Sequence, residues 1–313
     1  MLDFSGRVAV VTGAGRSIGR GYAVMLAERG CKVLVNDLPS ASGESVAQSV
    51  VDEIRAAGGI AEANEDSILD GGEQIIQAAV DEFGGLDIVI NNAGTVDHRA
   101  FDAMSATDWE RQTDVHLKAA VDVCRHAWPH LKKSGSGRIL NTSSGAILGE
   151  RFVTPYVSGK AGILGFSRSL ALEGKQYGIN VNCIFPTAWS RLWEDLEPKL
   201  TQMLKERCKP EYVSAFGVWL VHESTDFSGQ MFDVVGGMAA PVYFAHPQFV
   251  RANDFTPEGW IGKRGELTSG SQLTPVSSAL ELFGLQLREL DPDFSLQIDG
   301  VVDASKREAT EAP

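Results

Sequence analysis

Arg7-Val8-Ala9-Val10-Val11-Thr12-Gly13-Ala14-Gly15-Arg16-Ser17-Ile18-Gly19-Arg20-Gly21 is an apolar, β-branched run followed by glycines, and it leads into the helix-like Tyr22-Ala23-Val24-Met25-Leu26-Ala27-Glu28. The order is strand, glycine turn, helix. Glycines at such a turn let backbone approach a pyrophosphate closely, and the amides opening the next helix favour the anion. Gly13, Gly15, Arg16, Ser17, Ile18 and Gly19 are therefore candidate contacts for a dinucleotide. No Gly-Lys-Ser/Thr follows, so a P-loop does not fit. A second strand, Cys31-Lys32-Val33-Leu34-Val35-Asn36, ends at Asp37. A carboxylate there can accept hydrogen bonds from an adenosine ribose and repel a 2′-phosphate, which favours NAD over NADP. Arg16 argues the other way, because a guanidinium in the turn could reach a 2′-phosphate. Asp37 can also be read as a turn-initiating acid before Pro39.

Strand and helix patterns alternate onward, with apolar strands beginning near Val8, Lys32, Ile60, Leu86, Gly137, Asn180 and Gln230. This is the pattern of an α/β protein with a doubly wound parallel sheet, a Rossmann fold. Ligands of such sheets bind outside the strand C-terminal ends. Gly13, Asp37, Asn91, Ser143 and Pro186 all fall at or just past such ends. One domain is expected over 1–236. Residues 237–313 are expected to form an extension, interrupted by Pro241, Pro247, Pro257 and Pro275. Leu280, Phe283, Leu287 and Leu290 give that extension an apolar helical stripe between Val276 and Leu290 that suits docking. The charged end, Ala304 to Pro313, is expected to be mobile.

Tyr156 and Lys160, in Tyr156-Val157-Ser158-Gly159-Lys160, share one helix face. An ammonium beside a phenol favours phenolate, and such a pair can move a proton to or from an alcohol. The spacing alone also suits a packed ring beside a solvated amine. Taken with the glycine turn and Asp37, it makes the chain, from about Leu2 to Gly236, resemble the short-chain dehydrogenase/reductase family. Thr12 to Gly19 is similar to the family's cofactor motif, with Ser17 where glycine is commonest. Asn91-Asn92-Ala93-Gly94 is similar to its second signature, so Asn92, Ala93 and Gly94 are implied cofactor contacts.

Asp66, with Ser67 after it, falls where relatives place an acid on the adenine amino group; it could equally cap the next helix. Pro186 and Thr187 complete the implied cofactor set, with Tyr156 and Lys160 themselves. Ser143 stands thirteen positions before Tyr156, the offset of the family's catalytic serine, with Ser144 as the alternative if the loop is displaced by one. His116 replaces an asparagine that often completes a proton relay behind the lysine. An imidazole could relay through water to Lys160, or be a buried ring satisfied by a backbone carbonyl. The resemblance implies hydride transfer between a secondary alcohol and a nicotinamide, with Ser143, Tyr156, Lys160 and His116 as catalytic residues. It also implies a homodimer or homotetramer, formed through the helix bearing Tyr156 and the one before it.

Within the family, Val35-Asn36-Asp37-Leu38, Val115-His116-Leu117, Lys209-Pro210-Glu211-Tyr212-Val213, Val218-Trp219-Leu220-Val221-His222-Glu223 and Gly259-Trp260-Ile261-Gly262-Lys263 are similar to the (3R)-hydroxyacyl-CoA dehydrogenase part of the peroxisomal multifunctional β-oxidation enzymes. The implied substrate is a (3R)-3-hydroxyacyl-CoA. A hydroxysteroid or other bulky secondary alcohol is the alternative, because Thr187 to Trp193 and the insertion Met238 to Phe244 depart from that pattern. Phe152, Trp189, Trp193, Met203 and Trp219 suggest an apolar lining, and Arg99, Arg151, Arg191 and Lys199 are candidate contacts for CoA phosphates. A different class is a dinucleotide-binding redox sensor without turnover, which would need only the binding half of the motif set.

Composition bounds these readings. The chain has 313 residues, 43% of them hydrophobic, and a net charge of -13, which disfavours nucleic acid and anionic membrane as partners. Cys31, Cys124, Cys183 and Cys208 form no Cys-x-x-Cys pair and read as reduced, buried thiols. His126 and His130 flank Pro129 and lack a third ligand nearby, so no metal is expected. No apolar run is long enough for a membrane span. No leader is evident, and Glu311-Ala312-Pro313 is not a Ser-Lys-Leu address, so a cytoplasmic protein is expected.

Overall fold

The computed structural model describes residues 2–190, 197–254, 256–269 and 273–290. β1 (Val8–Thr12) is buried along its whole length and is followed by the glycine turn and α1 (Ser17–Ala27). The chain then alternates through β2 (Lys32–Asn36), α2 (Val46–Ala56), β3 (Ile60–Asn64), α3 (Gly72–Phe83) and β4 (Ile88–Asn91). α4 (Ala106–Thr113), a π-helical turn over Asp114–Lys118 and α5 (Ala119–Ser134) lead to β5 (Arg138–Thr142). Next come α6 (Thr154–Gly174), β6 (Asn180–Thr187), α7 (Pro198–Arg207), α8 (Pro210–Leu220), β7 (Met231–Val235) and β8 (Met238–Pro241).

The strands form one sheet in the order β3-β2-β1-β4-β5-β6-β7-β8. Seven are parallel, as the alternating pattern predicts; β8 turns back antiparallel on β7, with Val235 opposite Met238. Both faces are covered, so strand residues split between two cores by their alternation. Ala9 and Val11 face Tyr22, Leu26, Val50 and Val213 on one side. Val8 and Val10 face Ile75, Ala79, Val123 and Leu131 on the other. β1 has β2 on one side and β4 on the other, so the winding reverses between β1 and β4 and opens a crevice at their C-terminal ends.

From Tyr243 the chain forms a second compact unit. β9 (Phe244–His246) pairs antiparallel with β10 (Thr274–Val276), and the unit also holds α9 (Arg264–Leu267) and α10 (Ala279–Leu290). The helix expected from Val276 begins three residues later, where the Ser278 hydroxyl accepts from the Glu281 N–H at 3.1 Å. In its expected stripe Phe283 and Leu290 are exposed. The Leu280 side chain and the tail from 291 to 313 lie outside the described residues, as do Arg191 and Trp193.

Candidate active site

At the crevice the glycines do what their positions require. Gly13 adopts a φ of +63°, and a Cβ there would meet the Ala93 Cα at 2.7 Å. A Cβ at Gly19 would collide with the Gly13 carbonyl oxygen. Ser17, which replaces a usual glycine, takes a left-handed φ of 47° that side chains rarely adopt. The first turn of α1 has no acidic residue and no side-chain cap, so its N–H groups face the crevice uncompensated.

Asp37, just past β2, accepts from the Gly15 N–H through Oδ2 at 2.8 Å. Burial raises its pKa, against the pull of the Gly15 and Leu38 amides and the Arg16 charge. Asn92 closes the other side: its Nδ2 donates to the carbonyls of Thr12 and Gly13, both at 3.1 Å, and its N–H donates to the Thr12 hydroxyl. Asp66 is held by Asn64 Nδ2 at 2.7 Å, while Ser67 rather than Asp66 caps the following turn through the Leu69 N–H.

These groups line a cleft of about 690 Å³. It brings together Gly13, Arg16, Ser17, Ile18, Gly19, Asp37, Asp66, Ser67, Asn92, Ala93, Gly94 and Pro186 with His116, Ser143, Tyr156 and Lys160. Gly15 acts one step back, through Asp37, and Thr187 does not line the cleft. Leu38, Thr95, Glu150 and Val153 line it without having been singled out by the sequence pattern. Phe152, Met203 and Trp219, expected in an apolar lining, do not; Trp219 packs instead against Phe216 and Phe227. Among the candidate CoA contacts, Arg99 forms an ion pair with Asp108.

At the reacting end, Tyr156 and Lys160 come from α6 as their spacing requires. Lys160 is buried, and its Nζ donates to the Thr142 carbonyl at 2.7 Å. Burial pulls its pKa down to about 8. Nζ lies 5.8 Å from the centroid of the Tyr156 ring. Burial raises the Tyr156 phenol above its ordinary value; a hydrogen bond with the Ser144 hydroxyl pulls it down and the Glu150 carboxylate pushes it up. Of the influences on the phenol, desolvation of the half-buried ring is the largest.

The two serines divide. Ser143 is 1% exposed, and its hydroxyl donates to the Lys160 carbonyl at 2.8 Å. Ser144 is the serine at the phenol. The thirteen-residue offset pointed at Ser143, whereas the end of β5 at Thr142 turns Ser143 inward and Ser144 toward Tyr156. His116 sits on the π-helical turn, edge-on to Tyr156 with ring centroids 4.8 Å apart, and its Nε2 lies 2.6 Å from the Thr95 carbonyl oxygen. All four cysteines are free and buried, and no group of three metal-ligating side chains occurs among the described residues. Among the same residues, no helix is long and apolar enough to cross a membrane.

A close-approach glycine turn, an uncapped helix start and a carboxylate past the second strand fit a dinucleotide, and a phenol beside a hydroxyl and an amine fits alcohol–carbonyl chemistry. Together they define an α/β nucleotide-dependent oxidoreductase. A family model described as short chain dehydrogenase matches residues 7–192. The chain is 45% identical over 242 residues to the peroxisomal multifunctional enzyme type 2 of Mus musculus, covering 75% of this chain and 32% of that protein. It resembles the crystal structure of a short chain dehydrogenase from Mycobacterium avium at a TM-score of 0.74 and 38% identity, covering 87% of this chain and 97% of that one. The full-length peroxisomal multifunctional enzyme type 2 of Drosophila melanogaster matches at a TM-score of 0.79 and 31% identity, covering 93% of this chain and 50% of that one. The chain thus spans about a third to three fifths of the length of the multifunctional enzymes it matches. The chain belongs to the short-chain dehydrogenase family, whose members bind a nicotinamide dinucleotide and are oxidoreductases of CH–OH groups.

Proposed function

We propose that the chain is an NAD-dependent dehydrogenase interconverting a secondary alcohol and its ketone, with a (3R)-3-hydroxyacyl-CoA as substrate. The observation that carries the chemistry is the Ser144–Tyr156 contact in the same cleft as Asp37. Asp37 would hold the adenosine ribose, the first turn of α1 the pyrophosphate, and Asn92 to Gly94 the floor between them. The bound nicotinamide supplies the hydride acceptor for the carbinol carbon.

The chain's own groups manage the proton. In oxidation Tyr156 removes it from the alcohol, Ser144 hydrogen-bonds the oxygen as it becomes a carbonyl, and Lys160 supplies positive charge beside the ring. In reduction Tyr156 returns it. A phenol raised by burial is protonated near neutrality, so these residues are set for ketone reduction there, and oxidation should speed up as pH rises.

The hydroxyacyl-CoA reading rests on the five stretches shared with the multifunctional-enzyme branch and on the similarity to the mouse and Drosophila proteins. We further propose that residues 1–236, completed by the strand Met238–Pro241 that joins their sheet, carry this activity, that the unit from Tyr243 forms an extension to it, and that the protein is a homodimer or homotetramer. Four buried, unpaired cysteines support a reducing compartment such as the cytoplasm.

The test is a screen of (3R)-3-hydroxyacyl-CoA esters, hydroxysteroids and simple secondary alcohols with NAD and NADP, followed by nicotinamide absorbance. Turnover of the CoA esters with NAD is expected. Turnover of hydroxysteroids alone would replace the substrate, and dinucleotide binding with no turnover of any alcohol would make the protein a sensor.

A further inference from the structure

Glu150 stands in the loop between β5 and α6 and lines the cleft together with Ser144, Val153 and Tyr156. The loop around it is held at both ends. The Ser144 hydroxyl accepts from the Ala146 N–H at 3.1 Å and caps the short helical turn Gly145–Leu148. Gly149 follows at a φ of +109°, and Phe152 holds a left-handed φ of +68° that a bulky side chain rarely adopts. The Arg99 N–H donates to the Phe152 carbonyl at 2.7 Å, which ties the loop to the segment after β4. Glu150 is fixed between these two unusual backbone positions.

Among the described residues Glu150 has neither a hydrogen-bond nor an ion-pair partner. The neighbouring Arg151 does not line the cleft, and Arg99 and Arg111 are paired with Asp108 and Asp97. The other groups at the reacting end able to carry charge are His98, His116 and Lys160. Lys160 is buried with its Nζ on the Thr142 carbonyl, and burial and the Lys160 charge hold His116 neutral down to about pH 3. Arg16, the one arginine among the described lining residues, belongs to the glycine turn at the nucleotide end.

A site that takes a free hydroxy acid needs the opposite character. A carboxylate is recognised by a guanidinium fork or an ammonium, and an unpaired carboxylate facing it repels. The carboxyl carbon of a 3-hydroxy acid is two bonds from the carbinol carbon, so an acid seated on Tyr156 would bring its negative charge into the part of the cleft that holds Glu150. A thioester at the same position is uncharged. The phosphates of CoA lie a pantetheine arm away, beyond the about 8–10 Å over which an exposed charge acts in physiological salt.

We propose that Glu150 is a specificity-determining residue, whose unpaired carboxylate excludes 3-hydroxy acids with a free carboxylate and admits their neutral thioesters. This rests on the alcohol chemistry of Tyr156 proposed above and deepens the acyl-CoA reading: selection of the thioester lies in repulsion of the acid as well as in any hold on the CoA nucleotide. The same charge pushes the phenol's pKa up, so removing it changes the rate with every alcohol. Discrimination is therefore read as a ratio between two substrates of one acyl chain.

(3R)-3-Hydroxyhexanoate and its N-acetylcysteamine thioester share that chain and lack the CoA phosphates. In Glu150→Gln the ratio of kcat/KM for the thioester to kcat/KM for the acid should fall by roughly fivefold or more, the repulsion of two unit charges about 4 Å apart in water, or farther apart where water is partly excluded. High salt should shrink the difference. Glu150→Asp, which keeps the charge, should keep most of the ratio, and Glu150→Lys should lower it further. A ratio unchanged in both Glu150→Gln and Glu150→Lys would overturn the inference. Equilibrium binding of the same two compounds to the NADH-loaded chain reads the preference without turnover. If the parent turns over no alcohol, the proposed function fails, while a binding ratio that falls in Glu150→Gln still upholds the inference and one that does not overturns it.

Discussion

The Ser143 hydroxyl donates to the carbonyl of Lys160 at 2.8 Å, and Lys160 Nζ returns a hydrogen bond to the carbonyl of Thr142, the neighbour of Ser143, at 2.7 Å. This reciprocal clasp pins the end of β5 to the middle of α6. It sets the depth at which the Tyr156 ring stands, and it occupies the hydroxyl that the thirteen-residue spacing had assigned to the substrate.

Ser143→Ala should therefore lower stability by about 1 kcal/mol, the worth of one internal hydrogen bond, and leave most turnover. Ser144→Ala should lose about as much stability, since its hydroxyl accepts from the Ala146 N–H at 3.1 Å, but should also lose roughly 10²–10³ in kcat, as when one donor to a reacting oxygen is removed. Denaturant melts and steady-state rates on the two variants check this; the reverse pattern would return the catalytic role to Ser143.

Asp37 sets coenzyme choice through its carboxylate. Asp37→Asn keeps the shape and an acceptor for the Gly15 N–H but removes the charge that would repel a 2′-phosphate. Fluorescence titration should show NAD binding weakened by roughly tenfold or more, the worth of a charge-assisted hydrogen bond, with NADP binding improved by the nearby Arg16. Unchanged affinity for both nucleotides would place the ribose elsewhere.

His116 should make the fold acid-sensitive. Its pKa in the native protein, lowered by burial and then by Lys160, is about 3, against an ordinary 6.5. Between those values the unfolded chain binds the extra proton, so this contribution to stability is whole above pH 6.5 and drains away as pH falls. The loss by pH 5 should be about 2 kcal/mol. In His116→Gln, which cannot titrate, urea midpoints should flatten across that range; an unaltered slope would mean that other groups carry it.

Much of this could be read in the residues because it depends on local pattern. Val8 to Thr12 is apolar at every position but its last, the mark of a strand covered on both faces, and Gly13 and Gly19 are fixed by close approaches that side chains forbid. Tyr156 and Lys160 meet because a helix brings i and i+4 together. What escaped depends on packing. One residue's difference in the loop between β5 and α6 decides which serine faces the phenol, and counting along the chain cannot see which way Thr142 ends its strand. The antiparallel return of β8 follows a tight Gly236-Gly237 turn, both residues at positive φ, where the resemblance ends and the insertion Met238 to Phe244 begins. The raised phenol reflects burial of its ring, a quantity that exists only in three dimensions.

The most direct measurement of the central claim is a comparison of Tyr156→Phe with the parent, using stopped-flow hydride transfer from a (3R)-3-hydroxyacyl-CoA to NAD beside equilibrium NADH binding. Removing the hydroxyl takes away the proton acceptor and leaves the nucleotide contacts, so transfer should fall by at least roughly 10³-fold with NADH affinity within about twofold. Hydride transfer at the parental rate in Tyr156→Phe would contradict the account.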